Sequence, residues 1–342
     1  MLLSICIAVY NQIELVRENM SEIVKYKGDD IEIVVSDDCS TEPIEEMLLD
    51  FGDSRIKYFC TAVNKSHDGN ILNGLRNCRG DYVFLFRSKD IIIPEKIEEV
   101  KETIKTYPKA SYFLFSALDE NYRKRLTLED KIFTKNEEAQ NAHDKLLVHP
   151  SGQIYKRSFL RLSLYEQYID KYFPKFNGCD VHQLIRMDLA LQGDFVTSSC
   201  YAWRYAYTFQ AKETSVISTE KKLNIYAPYY QYQRYECEMN FANNEFQERN
   251  KAIFLRQIIK SHGWRIIPLF MLINRSEEYN RHYNSTPISF SPYKELIIFM
   301  RRTLKMLKTM KKKSNIGLGG GYNLIFCARC LRLDFMIFQL QV

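Results

Sequence analysis

The sequence has no uninterrupted apolar run of the roughly 18 residues that a membrane-spanning helix needs. Its opening, MLLSICIAVYNQ, lacks the basic segment of a signal peptide, and its apolar stretch is too short for one. Its nine cysteines show no disulfide-like spacing, and Cys327 and Cys330 form a lone CxxC without the second pair or the histidines of a zinc site. We therefore expect a cytoplasmic protein in a reducing compartment.

The composition is that of an ordinary folded protein. The 342 residues are 46% hydrophobic and 26% charged, which argues against disorder. At roughly 150 residues per domain, this length accommodates one large domain and an appended region. The net charge of +6 is concentrated, because Ser291–Lys313 contains eight basic residues and a single acidic residue, Glu295.

That basic segment has the pattern of an amphipathic helix over about 292–313. Its apolar residues recur every three or four positions at Leu296, Met300, Leu304 and Leu307. A basic helix with one apolar stripe is typical of a segment lying in an anionic membrane surface. The alternative is a helix packed on the rest of the protein. No nucleic-acid partner is expected, because aromatic residues do not interleave with the charges.

Two adjacent carboxylates follow an apolar run in Ile31–Ser40, IEIVVSDDCS. The run is rich in β-branched residues, which predicts a strand covered on both faces. Asp37 and Asp38 then stand at its carboxyl end. Ligands of open α/β sheets bind at that edge, so both are candidate binding residues. The alternative is that they cap the next helix.

Strand patterns alternate with helical patterns through the first third of the chain. The predicted strands are 2–9, the apolar run at the start of 31–40, 56–60, 82–86 and 110–116. This order predicts the α/β class with a mainly parallel, doubly wound sheet and helices on both faces. Residues 119–144 are polar and are interpreted as an excursion over the active face. Further predicted elements are a short strand at 153–155, a helix at 181–192, a strand at 199–207 and mostly helical structure at 220–261. We predict an α/β domain over 1–215, a helical region over 216–313 and a tail over 314–342.

Four blocks in chain order carry a family resemblance: SICIAVYN, EIVVSDDCST, Asn64 with Asn70, and RGDYVFLF followed by Asp90 and Pro94. They are similar to the nucleotide-binding half of family 2 glycosyltransferases with the GT-A fold. The resemblance covers residues 1 to about 115 and, more weakly, 149–207. It implies that a nucleotide diphospho-sugar, with a UDP-sugar as the expected donor, lies across the carboxyl ends of the strands.

The resemblance also implies roles for individual residues. Those around the base would be Ala8, Val9 and Tyr10. Asp37 or Asp38 would accept a hydrogen bond from the base or the ribose, because an unpaired buried N–H costs about 1–3 kcal/mol. Asn64 and Asn70 are interpreted as loop organisers, since asparagine side chains readily bond nearby backbone.

The sequence departs from the family after the fourth predicted strand. Where the resemblance implies Asp-x-Asp, the chain has Arg87-Ser88-Lys89, followed by Asp90. Mg²⁺ or Mn²⁺ needs oxygen ligands, which arginine and lysine do not supply. Three interpretations remain: Arg87 and Lys89 stabilise the diphosphate without a metal, Asp90 and a neighbour hold a divalent cation, or catalysis has been lost. Asp90 can also be a turn or cap residue ahead of the helix that begins at Pro94.

The resemblance places the general base at Asp180, in NGCDVHQLI, although Cys179 stands where the family usually has glutamate. An inverting transfer needs a carboxylate opposite the leaving group. The alternative is that Asp180 caps the following helix. The residues His149, Ser151 and Gly152 resemble a loop beside the donor sugar or acceptor, and His182 is a candidate for orienting the acceptor. Arg204 is expected either to bind a phosphate or to form a salt bridge at the rim of the site.

The sequence thus predicts an inverting glycosyltransferase, peripheral on the inner face of the plasma membrane. Its acceptor would be a glycan or a lipid-linked oligosaccharide of capsule or lipopolysaccharide biosynthesis. The alternative is a catalytically silent nucleotide-sugar-binding or scaffold protein with the same fold.

Overall fold

The computed structural model describes residues 1–146, 150–173, 181–205 and 228–247, together with 250–251, 254–255, 257–259, 262, 297–298, 300–305 and 308. The chain divides into two compact units, Met1–Val216 and Ile217–Val342. Each unit has buried side chains of its own.

The first unit alternates strands and helices. Its first half contains β1 (Leu3–Val9), α1 (Ile13–Ile23), β2 (Ile31–Asp37), α2 (Ile44–Leu49), β3 (Ile56–Cys60), α3 (Ser66–Asn77), β4 (Tyr82–Arg87), β5 (Asp90–Ile92), a 3₁₀ turn (Pro94–Lys96) and α4 (Ile97–Thr106). Its second half contains β6 (Ala110–Leu118), β7 (Lys124–Leu126), β8 (Lys131–Phe133), α5 (Glu137–Lys145), β9 (Gln153–Lys156), a 3₁₀ turn (Arg157–Phe159), α6 (Leu162–Tyr172), α7 (Val181–Gln192) and β10 (Asp194–Tyr205).

The strands form one mixed sheet in the order β3-β2-β1-β4-β9-β6-β10-β5, with β7 on β6 and β8 on β10. Neighbours among β1 to β4 are parallel, and β10 is parallel to β6. Between β4 and β6 lies β9, which is antiparallel to both, and β5 is antiparallel to β10. The predicted α/β class is confirmed, with the parallel character strongest in the first four strands.

Alternate residues of β1 contact helices on opposite faces of the sheet. Leu3, Ile5 and Ile7 share a core with apolar residues of α1, α2 and α4. Cys6 faces α3, where a Cβ at Gly74 would lie 2.6 Å from its Sγ. Both faces of β1 are therefore covered, which explains why the strand is a continuous apolar run.

The expectation for 119–144 was incomplete, because this segment contains β7, β8 and α5. Strands of three residues with exposed side chains carry little hydrophobic periodicity, so the sequence does not indicate them. Their stability comes from pairing with β6 and β10 and from contacts such as Phe133 on Phe195, whose ring centroids are 5.4 Å apart. The strand predicted at 199–207 begins earlier, at Asp194, and residues 206–207 lie outside the described part.

The described part of the second unit centres on α8 (Pro228–Glu245). Residues 297–298, 300–305 and 308, within the predicted basic helix, are helical. Thr303 is buried, and its hydroxyl lies 2.6 Å from that of Tyr235 on α8. Arg301, Lys305 and Lys308 are exposed. Among the described residues, no helix combines the length and apolar character required to cross a membrane. The tail over 314–342 lies outside the described residues.

Candidate functional site

The carboxyl ends of the central strands bring the predicted donor residues to one edge. In the sheet register, Val9 is opposite Asp37 on β2, and Ala8 is opposite Arg87 on β4. Asp37 and Arg87 are therefore two strand spacings apart, about 10 Å, with β1 between them. The edge carries carboxylates on one side of β1 and a guanidinium on the other.

The loop after β1, which carries Tyr10, is bonded to the loop after β2. Asn11 and Gln12 both have left-handed backbone, at φ 52° and 65°. The backbone N–H of Asn11 donates to Ser40 Oγ at 2.7 Å, and the N–H of Ile13 donates to Glu42 Oε2 at 2.6 Å. Glu42 thus satisfies the first free N–H of α1 from a separate loop. The bonds fix Tyr10 relative to the two aspartates.

Asp37 and Asp38 are both buried, and neither caps α2. The residue before α2 is Pro43, and the helix start receives no side-chain hydrogen bond. Asp37 instead accepts hydrogen bonds from Tyr58 Oη at 2.6 Å and from Ser40 N at 3.1 Å. The alternative in which these carboxylates cap the next helix is therefore wrong.

Asp38 lies beneath the loop between β3 and α3. Its Oδ1 accepts a hydrogen bond from Lys65 N at 2.6 Å, and the residue is 2% exposed. Burial raises the pKa of Asp38 to about 6. Asn64 accepts from Ser66 N within its loop, as predicted, whereas Asn70 lies on α3 and donates to the Val9 carbonyl at the end of β1 at 2.8 Å.

Arg87, Asp90 and Ser151 form a hydrogen-bonded cluster at the end of β4. Arg87 Nε donates to Asp90 Oδ2 at 3.0 Å, and the Ser151 hydroxyl donates to the same oxygen. The backbone N–H of Arg87 donates in turn to Ser151 Oγ at 3.0 Å. Asp90 is completely buried, whereas the Arg87 side chain is 29% exposed. Asp90 begins β5 and is not a helix cap.

Gly152, the residue before β9, leaves room for the indole of Trp203 on β10. Its φ is +84°, and a Cβ at this position would lie 2.1 Å from Trp203 Nε1. Its backbone N–H donates to the carbonyl of Leu85 at 3.1 Å. Trp203 also contacts Tyr205, whose ring is tilted by 45° with the centroids 4.6 Å apart. The start of β9 is therefore fixed between β4 and the indole.

Residues 4–162, which include this edge, match the model of glycosyl transferase family 2. This segment belongs to that family. Over 102 residues it is 33% identical to Salmonella typhimurium abequosyltransferase RfbV, and over 98 residues it is 35% identical to the uncharacterized glycosyltransferase RT0329 of Rickettsia typhi. Each match covers 28% of this chain and only about a third of the relative, 31% and 30% respectively.

Solved structures of S. aureus TarS share the fold of this family 2 domain. TarS 1–349 in complex with UDP-GlcNAc superposes with a TM-score of 0.59 at 17% identity, over 83% of this chain and 78% of that chain. The complex of TarS 1–349 with UDP gives a TM-score of 0.50 at 15% identity, over 90% and 92% of the two chains. At these identities the likeness shows the GT-A fold alone.

The residues present do not fit a divalent metal at the family 2 position. Arg87 and Lys89 offer no oxygen ligand, and Asp90 Oδ2 is already bonded to Arg87 and Ser151. The described residues contain no group of three or more His, Cys, Asp or Glu side chains close enough together to hold a metal. Lys89 lies, half-buried, in the turn between β4 and β5.

The start of α7 lies beside the start of α3. The rings of His182 and His67 meet edge to face with centroids 6.1 Å apart, and His67 Nδ1 is 3.1 Å from the buried Asp68. Because α3 follows the loop over Asp38, this contact places His182 at the same edge as the aspartates. His149 and Asp180 lie outside the described residues, so their predicted roles stay predictions.

The sequence did not identify three residues that shape this site: Glu42, Tyr58 and Tyr205. Glu42 reaches α1, Tyr58 bonds Asp37, and Tyr205 is paired with Asp90 in the β10–β5 register. Each contact joins separate elements, and no local pattern marks it. Arg204 forms the rim salt bridge, with Nη2 2.9 Å from Glu18 Oε1.

Proposed function

We propose that the protein transfers a sugar, with inversion, from a nucleoside diphosphate donor such as a UDP-sugar to a glycan or lipid-linked acceptor at the inner membrane surface. The observation that carries this proposal is the pairing of buried acids and an anchored arginine across β1. The domain's family and the UDP-GlcNAc held by TarS support a nucleotide-sugar donor.

In this proposal, Asp37 and Asp38 bind the nucleoside part of the donor. Asp37 and Asp38 lie beside Val9 and Tyr10, where a uracil N–H or a ribose hydroxyl finds a carboxylate oxygen. Leaving such a donor unpaired on burial costs about 1–3 kcal/mol, so these acids favour a nucleoside over an apolar ligand.

In this proposal, Arg87 binds the diphosphate of the donor. Its Nε is held by Asp90, which orients the guanidinium while its outer part reaches solvent. A guanidinium matches two phosphate oxygens and stabilises the charge that develops as the nucleoside diphosphate leaves. With Lys89 supplying a second charge, we infer that transfer requires no divalent metal.

Asp180 deprotonates the acceptor hydroxyl in this proposal. It directly precedes α7, whose first turn contacts His67 at the site edge. As the acceptor oxygen forms its bond to the anomeric carbon, its proton passes to Asp180 and the bond to the diphosphate breaks. Ser151, Gly152 and His149 then border the sugar, and His182 orients the acceptor.

The test measures nucleoside diphosphate release and sugar transfer from radiolabelled UDP-sugars, with a membrane fraction supplying acceptors. Each assay is run with and without EDTA on the wild type and Asp180→Asn, which keeps shape and removes basicity. We expect EDTA to have no effect, and Asp180→Asn to lower transfer about a hundredfold or more while donor affinity stays within the error of the wild type.

Other outcomes contradict separate parts of the proposal. Loss of release in EDTA shows that a metal is needed. Sugar transfer by Asp180→Asn at the wild-type rate shows that Asp180 is not the general base. Donor binding without turnover under any condition establishes the catalytically silent alternative.

A further inference from the structure

A second arginine reaches the site from the edge of the sheet. The hairpin of β6 and β7 pairs Ala117 with Leu126 and Leu118 with Lys124. Its turn is fixed because Asp119 Oδ1 accepts the backbone N–H groups of Asn121 and Arg123 at 2.9 and 2.8 Å. Arg125, on β7, then places its Cζ 4.9 Å from the ring centroid of Tyr205.

Tyr205 connects Arg125 to the cluster at the end of β4. It is the register partner of Asp90, which binds Arg87. Burial raises the pKa of Tyr205, as does the charge of Asp90, whereas Arg125 and Arg87 lower it. Both guanidinium groups therefore act electrostatically on one phenol, although they come from segments 38 residues apart in sequence.

Arg125 differs from Arg204 on the same rim. Arg204 is 9% exposed and forms an ion pair with Glu18. Arg125 is exposed, and its Cζ lies over an aromatic ring; within the part of the chain that the structure describes, no carboxylate pairs with it. A guanidinium held against an aromatic ring loses little further freedom on binding, and its several N–H donors match a phosphate.

We propose that Arg125 is a further diphosphate-binding residue beside Arg87 and Lys89, which holds from the other side the phosphate group that Arg87 contacts. This inference rests on the proposed function and adds a residue outside the motif of β4 to the same subsite. Its positive charge then comes from a central strand and from an edge hairpin, so the leaving diphosphate is neutralised by two anchored cations.

The test compares UDP with uridine as ligands for the full chain. Isothermal titration with UDP, and NMR titration with uridine, are applied to the wild type and Arg125→Gln. The matched control is Arg123→Gln, an exposed arginine of the same hairpin. We expect Arg125→Gln to weaken UDP binding about tenfold to a hundredfold and to leave uridine binding unchanged. Arg123→Gln should leave both affinities unchanged.

Arg125→Lys keeps the positive charge but loses the planar guanidinium group. We therefore expect its UDP affinity to lie between those of the wild type and Arg125→Gln. Arg125→Lys is measured in place of Arg125→Gln if the glutamine variant does not fold. Unchanged UDP affinity in Arg125→Gln, or an equal loss in Arg123→Gln, overturns this inference and leaves the proposed function standing. A wild type that binds no nucleoside diphosphate overturns the proposed function instead.

Discussion

Asp37 and Asp38 are neighbours in sequence but have different surroundings. Asp37 receives a phenol hydroxyl and a backbone N–H at the end of its strand. Asp38 is turned under the loop that leads to α3, where burial raises its pKa to about 6. Each acid therefore makes its contacts with a different loop.

Asp38 makes stability depend on pH in a defined window. Its native pKa of about 6 lies above the ordinary value of 3.8, so the native state keeps a proton that the unfolded chain releases. The resulting stabilisation is complete below pH 3.8 and disappears as the pH rises through 6. We expect this contribution to the free energy of unfolding to be up to about 3 kcal/mol.

Urea unfolding of the wild type and Asp38→Asn at several pH values from 4 to 7 measures that contribution. The wild type should lose more stability than Asp38→Asn as the pH rises through this range. Asp29→Asn, at an exposed position, is the control and should follow the wild type. Parallel curves for wild type and Asp38→Asn would contradict the assignment.

Residue positions at the strand ends could be predicted from sequence, and the bonds between loops could not. Asp37 and Arg87 meet at one edge because parallel strands with short connections end on the same side. The bond from Tyr58 to Asp37 depends on side-chain orientation. The bond from Glu42 to α1 depends on the left-handed backbone of Asn11 and Gln12, which no apolar pattern indicates.

At the scale of elements, the packing of the Trp203 indole of β10 against the chain just before β9 depends on Gly152. Any side chain there meets Trp203, and L-residues also resist its φ of +84°. We expect Gly152→Ala to destabilise the protein by about 2–5 kcal/mol, which combines the cost of the left-handed backbone with that of overpacking.

Gly52→Ala separates these two costs. Gly52 has a φ of +58°, and a Cβ added there would have no heavy atom within 4 Å, so this variant should lose only about 1–2 kcal/mol. Urea denaturation of both variants measures the difference. Equal losses would show that the indole of Trp203 moves aside freely.

The central strands were predictable, and the three-residue strands β7 and β8 were not. The continuous apolar runs of β1 and β2 indicate central strands. β7 and β8 have exposed side chains and are held by backbone pairing with longer strands.

At the scale of the whole molecule, positive charge is concentrated in the second unit. Arg301, Lys305 and Lys308 are exposed on the helical segment that packs on α8 through Thr303. Each basic residue near an anionic membrane contributes about 1 kcal/mol to binding. Replacing all three by glutamine should therefore weaken binding to phosphatidylserine-containing vesicles about a hundredfold.

Vesicle sedimentation checks this expectation, with neutral phosphatidylcholine vesicles for comparison. Glutamine at the exposed Lys27, Lys57 and Lys109 of the first unit removes the same charge and should leave vesicle binding nearly unchanged. Equal weakening by both triple variants would indicate a general charge effect and would contradict a membrane-binding helix.

The reversed direction of β9 has an evolutionary consequence. β1, β2 and β4 reach the ligand edge with their last residues, whereas β9 reaches it with its first, just after Ser151 and Gly152. In the proposed function Ser151 and Gly152 border the sugar, so insertions or deletions upstream of Ser151 would alter that border while the bond from Gly152 to Leu85 keeps the strand in register. Under the proposed function, relatives with this sheet would differ in substrate choice through the length of that one connection, with the first four strands left intact.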